Sequence, residues 1–359
     1  MTATAPPRPS GPTPVEDLPQ VYRPLPTWVP FVVVGAAFAV ALVLRAALGA
    51  GPVLTVLFTA VLFTIAISLV SRRVEGQRRA ADRTVTTVVT AMFVMAMAPL
   101  ISLTYTVVSR GAERFDVMFF TETMRNVVGE GGGAKHAIIG TLIVTGLAAV
   151  ISVPLGLLTA IYLVEYGRGR LARWVTFLVD VMTGIPSIVA GLFAYALFVV
   201  FFGPGIRFGF GGAVALSVLM APVVVRSAEE MLKLVPAELR EASYALGVPK
   251  WRTILKVVLP VAAAGIATGV TLAIARVIGE TAPLLLIVGT TTSLNTDPTN
   301  GRMATLPVYA FYSFFQPGAQ PQFSVDRAWT AALVLMLIVL ILSAVARLIS
   351  RLFAPKGAR

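Results

Sequence analysis

IIGTLIVTGLAAVISVPLGLLTAIYLV, residues 138–164, runs for 27 positions without a charged side chain. As a helix rising 1.5 Å per residue it is about 40 Å long, enough to cross the roughly 30 Å hydrocarbon core of a bilayer with some tilt. Lipid offers no partner to a free peptide group, so a run of this kind is expected to span the membrane as a helix. Seven further runs read the same way: residues 28–48, 52–70, 85–108, 175–202, 211–225, 259–288 and 329–349. Bulk composition agrees, with 57% of the 359 residues apolar, 13% charged and a mean hydropathy of +0.85, outside the soluble globular norm. The expected fold is all-α, a polytopic transmembrane bundle of about eight spans.

The charges that remain set an orientation. Residues 71–83 hold Arg72, Arg73, Arg78, Arg79 and Arg83 against Glu75 and Asp82, and residues 165–173 hold three Arg against one Glu. The C-terminal part adds Arg347, Arg351, Lys356 and Arg359 with no acid. The alternate loops balance: residues 109–136 carry four basic and four acidic side chains, residues 291–327 two of each. Placing basic loops in the cytoplasm satisfies every loop with eight spans and both termini inside. The net charge of +12 therefore points to cytoplasmic loops beside a bilayer and not to nucleic acid. The expected organisation is a Pro-rich cytoplasmic leader at 1–27, an N-terminal hairpin at 28–70, a basic cytoplasmic loop at 71–84, a main core at 85–350 and a cytoplasmic tail at 351–359.

Several chemistries are excluded or disfavoured. There are no cysteines and His136 is the only histidine, so neither a disulfide nor a His/Cys metal site is expected, and no cofactor is called for. Gly131, Gly132, Gly133 and Lys135 resemble a phosphate loop at first sight. Ala134 precedes the lysine, His136 follows it, and the segment maps to the outer face, so a flexible loop is expected instead. A membrane enzyme would need a cluster of His, Asp, Glu or Ser within the spans, and the runs hold none beyond one charged pair. Gly140, Gly146, Gly156, Gly265 and Gly269 suit close helix contacts.

Residues 226–256, between the sixth and seventh runs, are too polar for the membrane and patterned as helix, break, helix. Pro236 suits a first helical turn, Leu239, Ala242 and Leu246 lie close to one face, and Gly247, Val248 and Pro249 end the helix before another starts near Lys250. Pattern alone leaves a surface helix against its own bundle as an equal alternative.

Within this segment Glu241, Ala242 and Ser243 are followed after three residues by Gly247, then after nine by Val257, Val258, Leu259 and Pro260. This resembles the EAA loop of permease subunits in bacterial ABC importers, with Ser243 and Val257 where the family usually has Ala and Ile. The resemblance implies a coupling helix that docks into a separate ATPase subunit, with Glu241, Ala242 and Gly247 on the docking surface.

The seventh run also holds Arg276 and Glu280, four apart, in an apolar stretch. That spacing places them on one helix face within salt-bridging reach, and each charge costs about 2.5–3.5 kcal/mol on insertion scales, which favours pairing or a cavity. Gly279, Pro283 and the length of the run predict a tilt or break. The pair either locks helices together or lines an anion path, Arg supplying a fork of donors and Glu opposing over-tight binding. LAIARVIGETAPLL (272–285), YLVEY (162–166), TGIPSIVAGLF (183–193) and RSAEEMLKLVP (226–236) resemble PstA-type permeases of bacterial phosphate importers, from about residue 85 onward. The resemblance implies a type I importer permease in the plasma (inner) membrane, with Arg276 and Glu280 in the substrate pathway. The partners it implies are a PstC-like second permease, two PstB-like ATPase subunits, a PstS-like external binding protein and inorganic phosphate. Residues 28–70 stand outside it as an added hairpin. A permease for another small anion, such as sulfate or molybdate, is the alternative.

Overall fold

The computed structural model describes residues 25–49 and 51–353. Most of the leader expected at 1–27 and residues 354–359 of the expected tail lie outside them. The chain divides into two compact units, Met1–Leu103 and Thr104–Arg359.

In the first unit α1 (Val29–Leu48) and α2 (Pro52–Val74) pack together as a hairpin. Gly49 ends α1 with a left-handed φ of +63°, its N–H bonded to the Arg45 carbonyl. Pro52 opens α2 at a position where no helical N–H is required. Ala37, Ala41 and Ile67 are buried, while apolar side chains such as Phe31 and Val53 point outward, as suits helices solvated by lipid. α3 (Gln77–Gly111), whose last residues belong to the second unit, begins after only Glu75 and Gly76. The basic stretch 71–84 is therefore a tight turn between two helices, with its arginines on the helix ends. Glu75 organises that turn: its carboxylate accepts from Ser71 Oγ at 2.7 Å, Arg83 Nε at 2.6 Å and the Leu25 N–H at 2.7 Å.

The second unit continues with α4 (Val117–Thr121), α5 (Lys135–Ile161) and a π turn at Tyr162–Tyr166. α6 (Gly169–Thr183), α7 (Ser187–Phe202) and α8 (Gly209–Lys233) follow, then α9 (Ala237–Ala245) and α10 (Lys250–Thr253). A second π turn, Ile254–Val258, leads into α11 (Leu259–Val277), followed by α12 (Ala282–Ile287), α13 (Leu306–Phe315) and α14 (Pro321–Phe353). The central core is made by Val144 and Ala148 of α5, Leu216, Met220 and Val224 of α8, and Ala273 of α11. Small residues set the spacing. A methyl at Gly140 would clash with the Ala304 carbonyl oxygen and one at Gly265 with Met231, while one at Gly156 would stand 2.7 Å from Val224 and one at Gly269 2.5 Å from Ser227. Gly146 faces open space and makes no such contact.

Among the described residues seven helical stretches are long and apolar enough to cross a membrane, and α6 with α7 makes an eighth if the pair is one span. That pair corrects the single helix expected at 175–202, because α6 and α7 meet at 109°. Pro186 has no N–H for the Met182 carbonyl and disfavours helical geometry at Ile185, and Gly184 ends α6 just before it. The run 259–288 breaks as its composition predicts: α11 stops at Val277 and α12 starts at Ala282, because Pro283 leaves the Gly279 carbonyl without a helical donor. The glycine stretch expected as a flexible loop is tied down instead. Arg327 Nη1 donates to the Gly129 and Gly131 carbonyls at 2.7 and 3.0 Å, and Arg114 Nη2 donates to the Gly132 carbonyl at 3.1 Å.

Candidate functional site

A cavity of about 210 Å³ lies where the α6–α7 bend meets α8 and the end of α11. Thr183, Ile185 and Ser187 line it from the bend, Leu219 and Val223 from α8, and Arg276 and Glu280 from the seventh run. Each charge reaches it differently. Arg276 sits in the last turn of α11, where a cation complements the negative end of the helix dipole. Glu280 lies in the non-helical break, its N–H bonded to the Val277 carbonyl at 3.1 Å.

The expected salt bridge is absent. Because α11 ends at Val277, the four-residue helical register between the two side chains is lost. Among the described residues no carboxylate lies within 4.0 Å of Arg276. The two charges line one cavity with no ion pair between them.

The segment 226–256 forms the predicted elbow. α8 carries on through Arg226 to Lys233, α9 follows after Pro236, and a turn leads into α10. Gly247 holds a left-handed φ of +74°, a conformation that costs other residues roughly 1–2 kcal/mol. Its N–H bonds to the Tyr244 carbonyl at 2.9 Å, and the Val248 N–H bonds to the Ser243 carbonyl at 3.2 Å. Ser243, where the motif usually has Ala, is buried and shares a 2.8 Å hydrogen bond with Thr253 Oγ1 that clamps α9 to α10. Glu241, Ala242 and Gly247 are all exposed. So are Leu234 and Leu246, at 73% and 83%.

Sequence reasoning missed what fastens the elbow. Glu165, in the π turn that ends α5, accepts from Arg240 Nε of α9 at 3.0 Å, with only 5% of its side chain exposed. Arg240 also donates to the Leu232 and Val235 carbonyls at 2.9 and 2.6 Å, capping the end of α8. Lys250 donates to the Glu165 carbonyl, and its ammonium lies 4.8 Å from the centre of the Tyr166 ring. On the neighbouring face Arg226 pairs with Asp180 of α6 and with Glu229 at 2.8 Å, and Glu229 pairs with Lys233 at 2.7 Å. One signal was available for Glu165: it is the first charge after Lys135, at the end of the 29 uncharged residues 136–164.

An all-helical membrane bundle with a charged cavity at its helix breaks and an exposed elbow beyond α8 fits a permease subunit of the type I ABC importer kind. Residues 152–358 match the family model "Binding-protein-dependent transport system inner membrane component", and the chain belongs to that family, in its PstA branch of phosphate transport system permeases. It is 47% identical over 286 residues to "Phosphate transport system permease protein PstA 1" of Mycobacterium tuberculosis (strain CDC 1551 / Oshkosh), covering 78% of this chain and 92% of that protein. It is 39% identical to "Phosphate transport system permease protein PstA" of Yersinia pestis, covering 79% and 94%. A chain of the bacterial alginate ABC transporter, solved with alginate pentasaccharide-bound periplasmic protein, shares the fold with a TM-score of 0.55 at 14% identity, covering 77% and 97%. The chain is thus a multi-pass inner-membrane transport subunit and not an enzyme, working with ATPase and binding-protein partners.

Proposed function

We propose that this chain forms half of the translocation pathway of an ATP-driven importer for inorganic phosphate, with Arg276 and Glu280 in the path and Glu241, Ala242 and Gly247 on the ATPase-docking surface. The observation that carries this reading is that Arg276 and Glu280 line one cavity unpaired. The guanidinium fork matches two phosphate oxygens at once. Glu280 opposes the anion's negative charge, which limits its residence, and accepts a hydrogen bond from a P–OH that sulfate lacks at neutral pH. A PstC-like permease completes the cavity, a PstS-like protein delivers phosphate outside, and two PstB-like ATPases act on the elbow, with both termini of this chain in the cytoplasm. The Glu165–Arg240 pair transmits elbow movement to α5, and the broken helices beside Arg276 provide the hinges that reverse the cavity opening.

The test is uptake of labelled phosphate by cells lacking the protein, complemented with wild type or Arg276→Gln at equal membrane levels. Uptake restored by the wild type alone supports both the substrate and the site. Uptake with both makes Arg276 structural, and uptake with neither removes the phosphate assignment.

A further inference from the structure

A second cavity, of about 320 Å³, lies at the opposite end of α5 and α8 from the elbow. His136 at the start of α5, Arg207 just before α8, Thr291 after α12, Arg302 before α13, Tyr309 of α13 and Gln316 just after it are among its walls. Ten residues of α8 separate Gly209, beside Arg207, from Leu219 at the Arg276 cavity, about 15 Å along the helix axis. The two cavities are therefore distinct.

Three observations give the outer cavity its chemistry. First, Arg207 and Arg302 converge: both side-chain stems pass over Gly289, where a methyl would stand 3.1 Å from Arg207 Cδ and 3.4 Å from Arg302 Cδ. Gly289 has a φ of +70°, so the backbone there is both left-handed and bare. Second, among the described residues neither guanidinium has a carboxylate within 4.0 Å, and no acidic residue lines the cavity. Two converging arginines repel, so this arrangement requires an anion or strong hydration to offset it. Third, His136 is 1% exposed and its Nδ1 has no hydrogen-bond partner among the described residues. A buried ring nitrogen left open beside a polar cavity is spare capacity for a ligand.

We propose that the outer cavity is a second oxyanion site that holds inorganic phosphate between its arrival from outside and its passage to Arg276. The proposal rests on the phosphate reading above. Two forks, threonine hydroxyls and an amide surround a small tetrahedral anion with donors. The absence of a carboxylate makes the site a receiver, whereas the inner cavity, with Glu280, favours release.

The experiment uses the assembled importer in lipid nanodiscs without binding protein, with radiolabelled inorganic phosphate at equilibrium as the probe. Phosphate binding that persists in Arg276→Gln should weaken at least tenfold when Arg207→Gln and Arg302→Gln are added, and return substantially with lysine at both positions. Arg302→Gln alone, at an exposed position where Gln keeps the inner part of the stem, should lose about threefold. No residual binding in Arg276→Gln, or residual binding indifferent to Arg207 and Arg302, overturns the proposal. So does unchanged phosphate binding with lost stimulation of ATPase activity by the binding protein, since the arginines would then be meeting acidic side chains of that docked partner. Residual label displaced at a lower concentration of sulfate than of unlabelled phosphate would keep the oxyanion site and sink the phosphate reading, which separates the two failures.

Discussion

Glu165 Oε1 accepts a hydrogen bond from Arg240 Nε at 3.0 Å, joining the end of α5 to the elbow helix across 75 residues of chain. A nearly buried carboxylate robbed of its partner is destabilising by about 3–5 kcal/mol, so the pair holds the elbow at a fixed angle to the bundle. Arg240→Gln is expected to leave the chain in the membrane but cut phosphate uptake at least tenfold, with ATPase activity no longer responsive to the binding protein. Arg240→Lys should recover part of the coupling. Normal uptake by Arg240→Gln at wild-type abundance would show that the pair does not transmit.

Gly247 holds its left-handed turn with open space around it. Gly247→Ala should therefore cost roughly 1–2 kcal/mol through backbone strain alone, and Gly247→Asn less, because Asn tolerates this region. Complex assembly measured by co-purification of the ATPase should rank Gly, Asn, Ala in descending order. Equal assembly of all three would exclude a conformational role.

Glu280 is expected to set anion preference more than affinity. Glu280→Gln exchanges a charged hydrogen-bond acceptor for a weaker, neutral one while keeping shape, and the preference for phosphate over sulfate in competition uptake should fall about tenfold, equal to about 1.4 kcal/mol. An unchanged preference would leave Glu280 without a part in selection.

The Glu75 carboxyl is held at about 2, well below its free value of 4.5, chiefly by its hydrogen bonds from Arg83. A depressed folded-state value means that the ionised form is the stabilising one. Its contribution is complete above pH 4.5 and is lost as pH falls from 4.5 towards 2. The difference in thermal stability between wild type and Glu75→Gln should be constant from pH 6 to 8 and shrink steadily below 4.5. A difference that grows on acidification would contradict the ion pair.

Gly140 and Gly146 make a matched pair of tests on one helix. Gly140→Ala drives a methyl into the Ala304 carbonyl, and overpacking of this kind costs about 1–3 kcal/mol. Membrane abundance and melting temperature should drop for Gly140→Ala and hold for Gly146→Ala, which meets nothing within 4 Å.

The bundle was legible because hydrophobic length is a property of consecutive residues: residues 138–164 read as a span with no knowledge of their neighbours. The elbow was legible for the same reason, since Pro236, Gly247 and Pro249 punctuate it locally. Bend angles were less so. Pro186 and Gly184 announce an interruption, but whether the chain then continues or turns by 109° depends on what packs there. Arg276 and Glu280 could be found as charges in a greasy run. Their ionic separation could not, because it follows from the exact residue at which α11 stops. Least visible were pairings distant in sequence, Glu165 with Arg240 and Arg207 beside Arg302, which only the fold brings together.

The unbroken stretch Lys135–Tyr166, 32 residues long, has His136 in the outer cavity at one end and Glu165 against the elbow at the other. A rod gripped at both tips behaves as a transmission shaft: displacing either tip is felt at the other without a messenger between. On the pathway proposed above, substitutions at the His136 end should therefore alter the pace of ATP turnover at the elbow end, so that anion entry and motor are tuned as one part.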